Sequence, residues 1–145
     1  MQARGFGSAA HTEVVTDGVV IETAPGNPLD FIEQYQKRFK VALRPGLPRF
    51  CGGLAGYFGY DAVRYIEKKL EKSCPPDTLG TPDILLLQCE ELAVIDNLSG
   101  KLYLMVYADP GVPEAYSKAK KRLRELKEQL KYSVSAPVLS STQTY

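Results

Sequence analysis

The segment Phe50–Tyr60, FCGGLAGYFGY, interleaves four glycines with aromatic and aliphatic residues. Glycine weakens a strand because it has no side chain to pack, so glycines at this density indicate a close approach of other backbone. In an extended chain Ala55 and Tyr57 share one face, and Leu54 and Phe58 share the other. Each face therefore carries small residues beside large ones, and the segment predicts a buried strand against which other backbone packs closely.

The same glycines invite comparison with a phosphate-binding loop. The segment matches neither GxxxxGK[ST] nor GxGxxG, and no lysine or serine stands where a phosphate would need it. Close structural packing is therefore the favoured interpretation.

Turn and capping residues divide the remaining sequence into strands and helices. Asp17-Gly18 lies between two β-branched runs, which is the strongest short-range signal for a hairpin. Strands are predicted over Thr12–Thr16, Val19–Thr23, Ile84–Gln88, Leu92–Ile95 and Lys101–Tyr107, and helices over 28–40, 61–70 and 113–131. The fold class is α+β, a mainly antiparallel sheet with helices packed on it, in which the last three strands lie side by side.

Each predicted helix has an apolar stripe and a capping signal. Asn27 and Pro28 begin the first helix, and Asp61 is expected to cap the second. The inner stripe of the second helix is Val63, Ile66 and Leu70, and that of the last helix is Tyr116, Ala119, Leu123, Leu126 and Leu130.

Composition bounds the domain organisation and the class of partner. Residues 1–11 are expected to be poorly ordered, 12–131 to form one partial domain, and 132–145, rich in Ser, Thr, Pro and Val, to be a linker.

The formal net charge of +1 gives no field that would attract nucleic acid. The apolar runs Ile84–Leu87 and Leu102–Tyr107 are too short to cross a membrane and are expected to present open strand edges. Three cysteines without CxxC spacing and no secretory signal indicate a cytoplasmic protein.

Several polar groups could carry chemistry, but their spacing assembles no site. His11 is the only histidine and lies in the segment expected to be poorly ordered. Acid–base catalysis would require Asp61 to lie beside Arg64, or Glu90 and Glu91 to lie beside Asp96. Capping, turn and surface roles suit these residues better. Between Lys118 and Lys131 the last helix carries seven basic residues against Glu125 and Glu128, a pattern typical of a solvated face. From the residues alone, the chain has no complete catalytic, cofactor or metal site.

The stretch PRFCGGLAGYFGYDAVRYIE, Pro48–Glu67, resembles the signature of anthranilate synthase component I. Asn27–Leu43 is similar to the helix that precedes this signature in the family, and Pro82–Ala108 to the strands that follow it. The resemblance implies a partial N-terminal domain of that subunit, with a structural role for the signature residues Gly52, Gly53, Gly56, Tyr57, Gly59, Tyr60, Asp61 and Arg64.

The resemblance also implies what the chain does not carry. The family's catalytic residues and magnesium-binding glutamates lie in a C-terminal chorismate-binding domain outside this sequence, and its Leu-Leu-Glu-Ser tryptophan motif is missing. The full subunit makes anthranilate from chorismate in tryptophan biosynthesis, with Mg²⁺ and with ammonia from a glutamine amidotransferase subunit. The chain alone is expected to be inactive. The alternatives are a fragment of aminodeoxychorismate synthase component I, which shares a similar glycine pattern, and a stand-alone interaction module without enzymatic activity.

Overall fold

The computed structural model describes residues 1–5, 9–73 and 75–132 and divides into two compact units, Met1–Glu90 and Glu91–Tyr145. The strands are β1 (Gln2–Arg4), β2 (His11–Thr16), β3 (Val19–Pro25), β4 (Gly53–Phe58), β5 (Ile84–Cys89), β6 (Glu91–Asp96) and β7 (Lys101–Val106). The helices are α1 (Pro28–Lys37), α2 (Ala115–Gln129) and two 3₁₀ helices, Tyr60–Tyr65 and Lys68–Ser73. The α+β prediction is confirmed. Within the described ranges, no helix is long and apolar enough to cross a membrane.

The first unit is built on a five-stranded antiparallel sheet in the order β3-β2-β1-β5-β4. The hairpin of β2 and β3 turns at Asp17 and Gly18, whose φ angles are 51° and 79°. Two successive positive φ angles are what a tight two-residue hairpin turn requires, and Asp-Gly tolerates them. This predicted hairpin is therefore confirmed.

Strand β1 lies in the middle of the sheet, where Ala3 pairs with Thr12 of β2 and with Ile84 of β5. The expectation that residues 1–11 are poorly ordered is therefore wrong for Gln2–Arg4 and for His11, which begins β2. A strand of three residues is too short to show an alternating pattern, and its place depends on long-range pairing that composition does not reveal.

The second unit contains a separate two-stranded sheet of β6 and β7, so the expectation of three adjacent strands from β5 to β7 is wrong. The physical reason is that β1 and β4 already occupy both edges of β5, which leaves no edge for β6. For the same reason Ile84–Leu87 does not form an open edge.

Helix α1 begins as its sequence predicts. The Asn27 side chain accepts a hydrogen bond of 3.0 Å from the backbone N–H of Leu29, and Pro28 occupies the first turn. Ile32 points into the core of the first unit, whereas Phe39 lies beyond the end of the helix and is exposed. The buried core consists of Ala3, Ile32, Ala62, Ile84 and Leu86, with Met1, Leu29, Leu54 and Tyr65 packed against it.

The predicted α-helix over 61–70 is wrong, because two 3₁₀ helices occupy this stretch. A 3₁₀ helix has three residues per turn, so residues three apart share a face. Ala62 and Tyr65 therefore face the core together, while Val63 and Ile66 lie on another face and are exposed.

Helix α2 packs on β7, which confirms the prediction of a helix lying on a sheet. Its predicted stripe is buried only in the middle: Ala119 is buried and Leu123 is half-buried. Tyr116 and Leu130, at the two ends of the stripe, are exposed.

An ion pair attaches the end of α1 to β3. The Arg38 guanidinium donates two hydrogen bonds of 2.7 Å to the Glu22 carboxylate and stacks 4.8 Å from the centre of the Tyr35 ring. These hydrogen bonds hold the pKa of Glu22 below its usual value.

Strand β4 lies at an edge of the sheet, so the prediction of a buried strand is wrong while the prediction of a strand is correct. The close backbone approach is tightest at one glycine. A Cβ on Gly56 would lie 1.9 Å from the carbonyl oxygen of Leu85, whereas nothing lies within 4 Å of one on Gly53. The glycine at position 56 therefore lets β4 and β5 pair closely.

Replacing Gly56 with valine should destabilise the first unit by about 3 kcal/mol, the upper end of the usual overpacking cost, because the clash is with backbone. Chemical denaturation monitored by circular dichroism measures this change. Ala55→Val is the matched control, since it adds the same side chain one residue away on the other face and should change stability by no more than about 0.5 kcal/mol. Equal stabilities of the two variants would contradict the close approach.

Candidate functional site

The signature segment Gly52–Arg64 contains the entry into β4, the strand itself and most of the first 3₁₀ helix. Gly52 and Gly53 have φ angles of 144° and 115°, which L-residues rarely adopt, so these glycines set the direction in which the chain enters β4. At the other end, the Gly59 N–H donates a 2.7 Å hydrogen bond to the carbonyl oxygen of Asp83, just before β5. A Cβ on Gly59 would lie 3.0 Å from the same oxygen. Positive φ angles account for the first two glycines, and this close approach accounts for the third.

The prediction that Asp61 caps a helix is wrong, because the first 3₁₀ helix has Gly59 as its N-cap and no side-chain cap hydrogen bond. Asp61 instead forms a structural ion pair with Arg64. The Arg64 Nε lies 2.7 Å from Asp61 Oδ1, and the arginine side chain is only 10% exposed. Its Nη1 donates to the carbonyl oxygen of Leu70 and, at 3.2 Å, to the hydroxyl of Ser73. One guanidinium thus connects the two 3₁₀ helices.

Tyr65 connects the first 3₁₀ helix to β5 and to α1. Its hydroxyl donates a 2.9 Å hydrogen bond to Asp83 Oδ2, and its carbonyl oxygen accepts one of 3.1 Å from the Asn27 side chain. Burial, together with the hydrogen bond to the Asp83 carboxylate, raises the pKa of Tyr65 well above its usual value. The phenol stays protonated at physiological pH and serves as a hydrogen-bond donor.

The two signature tyrosines, Tyr57 and Tyr60, differ in their surroundings. The Tyr57 hydroxyl donates a 2.9 Å hydrogen bond to the carbonyl oxygen of Pro82, so it ties β4 to the segment before β5. Tyr60 is 92% exposed. The structure assigns Tyr60 no contact that explains its place in the signature.

Apart from Tyr60, the polar side chains of this segment bond to one another or to nearby residues. Among the residues that the structure describes, no group of three or more His, Cys, Asp or Glu side chains could hold a metal ion.

The other sequence candidates also lie apart. His11 Nδ1 is 3.1 Å from the carbonyl oxygen of Ala9, and Glu90 accepts a hydrogen bond from Gln88. Asp96 accepts backbone hydrogen bonds of 3.0 and 3.1 Å in the turn between β6 and β7. Glu91 pairs with an arginine of α2 in the second unit. These acidic groups therefore do not form a catalytic pair.

In the second unit a hollow of about 290 Å³ lies beside the start of α2, lined in part by Val106, Val112 and Arg122. The Arg122 guanidinium already forms two ion pairs, 2.8 Å from the Glu91 carboxylate and 3.5 Å from that of Glu125. Further ion pairs on α2 neutralise part of its basic face, so the prediction of a solvated helix face agrees with the structure.

Sequence reasoning missed Asp83 and Asn27 as partners of the signature. Each lies outside Pro48–Glu67, and their contacts with Tyr65 span 18 and 38 residues. Asn27 has a recognisable role as a helix cap, but no local pattern shows that its amide also reaches a distant carbonyl.

Comparison with known proteins gives one consistent relationship. No family model matches the sequence. Anthranilate synthase component 1 from Neisseria gonorrhoeae is 49% identical over 138 residues, which cover 92% of this chain and 28% of the relative. The Pseudomonas aeruginosa protein of the same name is 50% identical over 121 residues, covering 82% of this chain and 24% of the relative. The chain thus spans about a quarter of the length of the curated relatives it matches.

The fold gives the same relationship. The crystal structure of anthranilate synthase component I from Streptococcus pneumoniae matches with a TM-score of 0.62 and 25% identity, over 94% of this chain and 31% of that one. The aminodeoxychorismate synthase and stand-alone alternatives are not favoured, because these relatives are all named for the anthranilate enzyme. The chain therefore belongs to the anthranilate synthase component I family and corresponds to an N-terminal part of that subunit.

Proposed function

We propose that this chain is a structural part of a subunit that converts chorismate to anthranilate, and that it holds none of the reacting groups. The observation that carries the proposal is the signature segment itself. Within a chain about half identical to component 1, Asp61 bonds to Arg64 and the neighbouring Tyr65 bonds to Asp83. Catalysis needs groups that face a bound substrate, and these face the protein.

The signature works as a joint between elements that are distant in sequence. Gly59 and Tyr65 attach the first 3₁₀ helix to the start of β5, and Arg64 attaches the second 3₁₀ helix to the first. A rigid joint of this kind can hold a sheet in the shape that a neighbouring catalytic region requires.

The chemistry of the whole subunit belongs to the same proposal. Magnesium and chorismate would be bound by residues in the part of the subunit outside this chain, and a glutamine amidotransferase subunit would supply ammonia for tryptophan biosynthesis. The expected location is the cytoplasm, where a thiol such as that of Cys89 stays reduced.

A domain-replacement experiment tests the proposal. This chain would replace the matched region of Neisseria gonorrhoeae component 1, and anthranilate fluorescence would be followed with chorismate, ammonia and Mg²⁺. We expect the chimera to retain activity within about tenfold of the parent enzyme, a cost of up to about 1.4 kcal/mol in the barrier. The isolated 145-residue chain should show no turnover.

The parent enzyme and the isolated chain are the two controls. Turnover by the isolated chain would show that it carries reacting groups, against the proposal. A folded chimera without activity, beside an active parent, would mean that the chain does not serve this enzyme.

The joint itself makes a separate prediction. Arg64→Met removes three hydrogen bonds from a charged donor and should destabilise the first unit by about 1.5–3 kcal/mol. Arg44→Met is the control, because Arg44 is exposed and should contribute no more than about 0.5 kcal/mol. The test is the midpoint of urea denaturation, and equal midpoints would show that the Arg64 network does not stabilise the fold.

A further inference from the structure

One edge of the five-stranded sheet is open. Strand β4 pairs with β5 on one side, and no described strand pairs with its other side. Four of its six residues, including Tyr57 and Phe58, are exposed. The open edge is therefore accessible to another polypeptide.

The pairing of β5 fixes which backbone groups of β4 face outward. The N–H and C=O of Leu86 both bond to Met1, in line with β1. Because backbone direction alternates along an antiparallel strand, Leu85 and Leu87 direct their groups toward β4. Their partners in β4 are Tyr57 and Ala55.

The remaining residues of β4 point the other way. Leu54, Gly56 and Phe58 alternate with the residues bonded to β5, so their N–H and C=O groups lie on the open edge. Three consecutive outward positions form a row to which an antiparallel or parallel strand can bond.

The two edges of the sheet differ in how they are protected. The β3 edge has a bulge in its pairing at Val14 and Val15, a charged Glu22 and a terminal Pro25. These are the features by which proteins prevent strands from adding to an edge. The segment Gly53–Phe58 has no charge, no proline and no register shift. The β4 edge is thus the one left available for pairing.

The loop that leads into β4 is cationic and apolar. No acidic residue occurs between positions 34 and 60, and Lys40, Arg44 and Arg49 are exposed with no ion pair among the described residues. The exposed apolar residues of the same stretch are Phe39, Val41, Leu43, Leu47 and Phe50. A surface of this kind fits a partner that offers carboxylates beside apolar side chains.

We propose that the open edge of β4 receives a strand from the part of component I outside this chain, and that this strand carries carboxylates where it passes the loop over 40–49. The inference rests on the proposed function, since it takes the occupant from the same subunit. The relatives are about four times as long as the matched region, so the occupant is covalently attached and has a high effective concentration. A second copy of this chain would instead bring the same unpaired cations.

Hydrogen exchange measured residue by residue tests the pairing. In the chimera with the Neisseria gonorrhoeae protein, we expect the amides of Leu54, Gly56 and Phe58 to exchange at least tenfold more slowly than in the isolated chain. The amides of Ala55 and Tyr57 bond to β5 in both proteins and are the internal reference.

A pair of substitutions separates the backbone donor from the side chain. Phe58→Pro removes the outward N–H, and Phe58→Ala removes the same ring but keeps that donor. We expect the proline variant to melt at a lower temperature than the alanine variant in the chimera, and the two to melt alike as isolated chains.

Charge reversal tests the nature of the partner. Arg44→Glu with Arg49→Glu should reduce the protection of the three outward amides in the chimera at low salt. Lys118→Glu with Lys127→Glu on α2 makes the same change of net charge elsewhere and should leave that protection unchanged. Equal protection in both double variants would overturn the carboxylate partner.

Each remaining outcome is decisive. An active chimera in which the outward amides exchange as fast as in the isolated chain would overturn strand pairing and leave the proposed function standing. An inactive but folded chimera would count against the proposed function, whatever the edge amides do. In the isolated chain, the exchange of these amides could become slower as the protein concentration rises. That result would identify a second copy of the chain as the occupant and would contradict this proposal.

Discussion

The first unit depends on the pairing of β5 along both of its edges. β1 bonds to one side and β4 to the other, and Ile84 at the start of β5 is completely buried. Because a central strand has both edges satisfied, the next strand along the chain has no place beside it. β6 accordingly pairs with β7 in a sheet of its own. The same arrangement leaves β4 at the edge and so sets which surface is open.

Features with a local cause could be predicted from the sequence. Asp17-Gly18 requires only two residues to make its turn, and Asn27-Pro28 caps and starts α1 through neighbouring atoms. Features that depend on distant residues could not be predicted in this way. The position of β1 depends on strands 9 and 81 residues away along the chain, as the pairs of Ala3 show. The side-chain bonds that join the two 3₁₀ helices after Gly59 are likewise not encoded in a helical pattern.

The signature segment illustrates how a strongly patterned sequence can be structural. Gly56 permits close strand pairing, and Arg64 holds the two 3₁₀ helices together. Tyr65 reaches Asp83 at the start of β5. The resemblance identified Gly56 and Arg64 as signature residues, and the structure shows what each of them contacts and adds Tyr65.

The central claim is that β1 is an integral strand of this sheet, on which β5 and the signature joint rely. The most direct measurement is thermal unfolding of a variant that lacks residues 1–5, compared with the whole chain by circular dichroism. Removal of β1 exposes one edge of β5 and uncovers Ile84, so we expect the first unit to lose its cooperative transition. An unchanged cooperative transition at the same temperature would contradict this account of the fold.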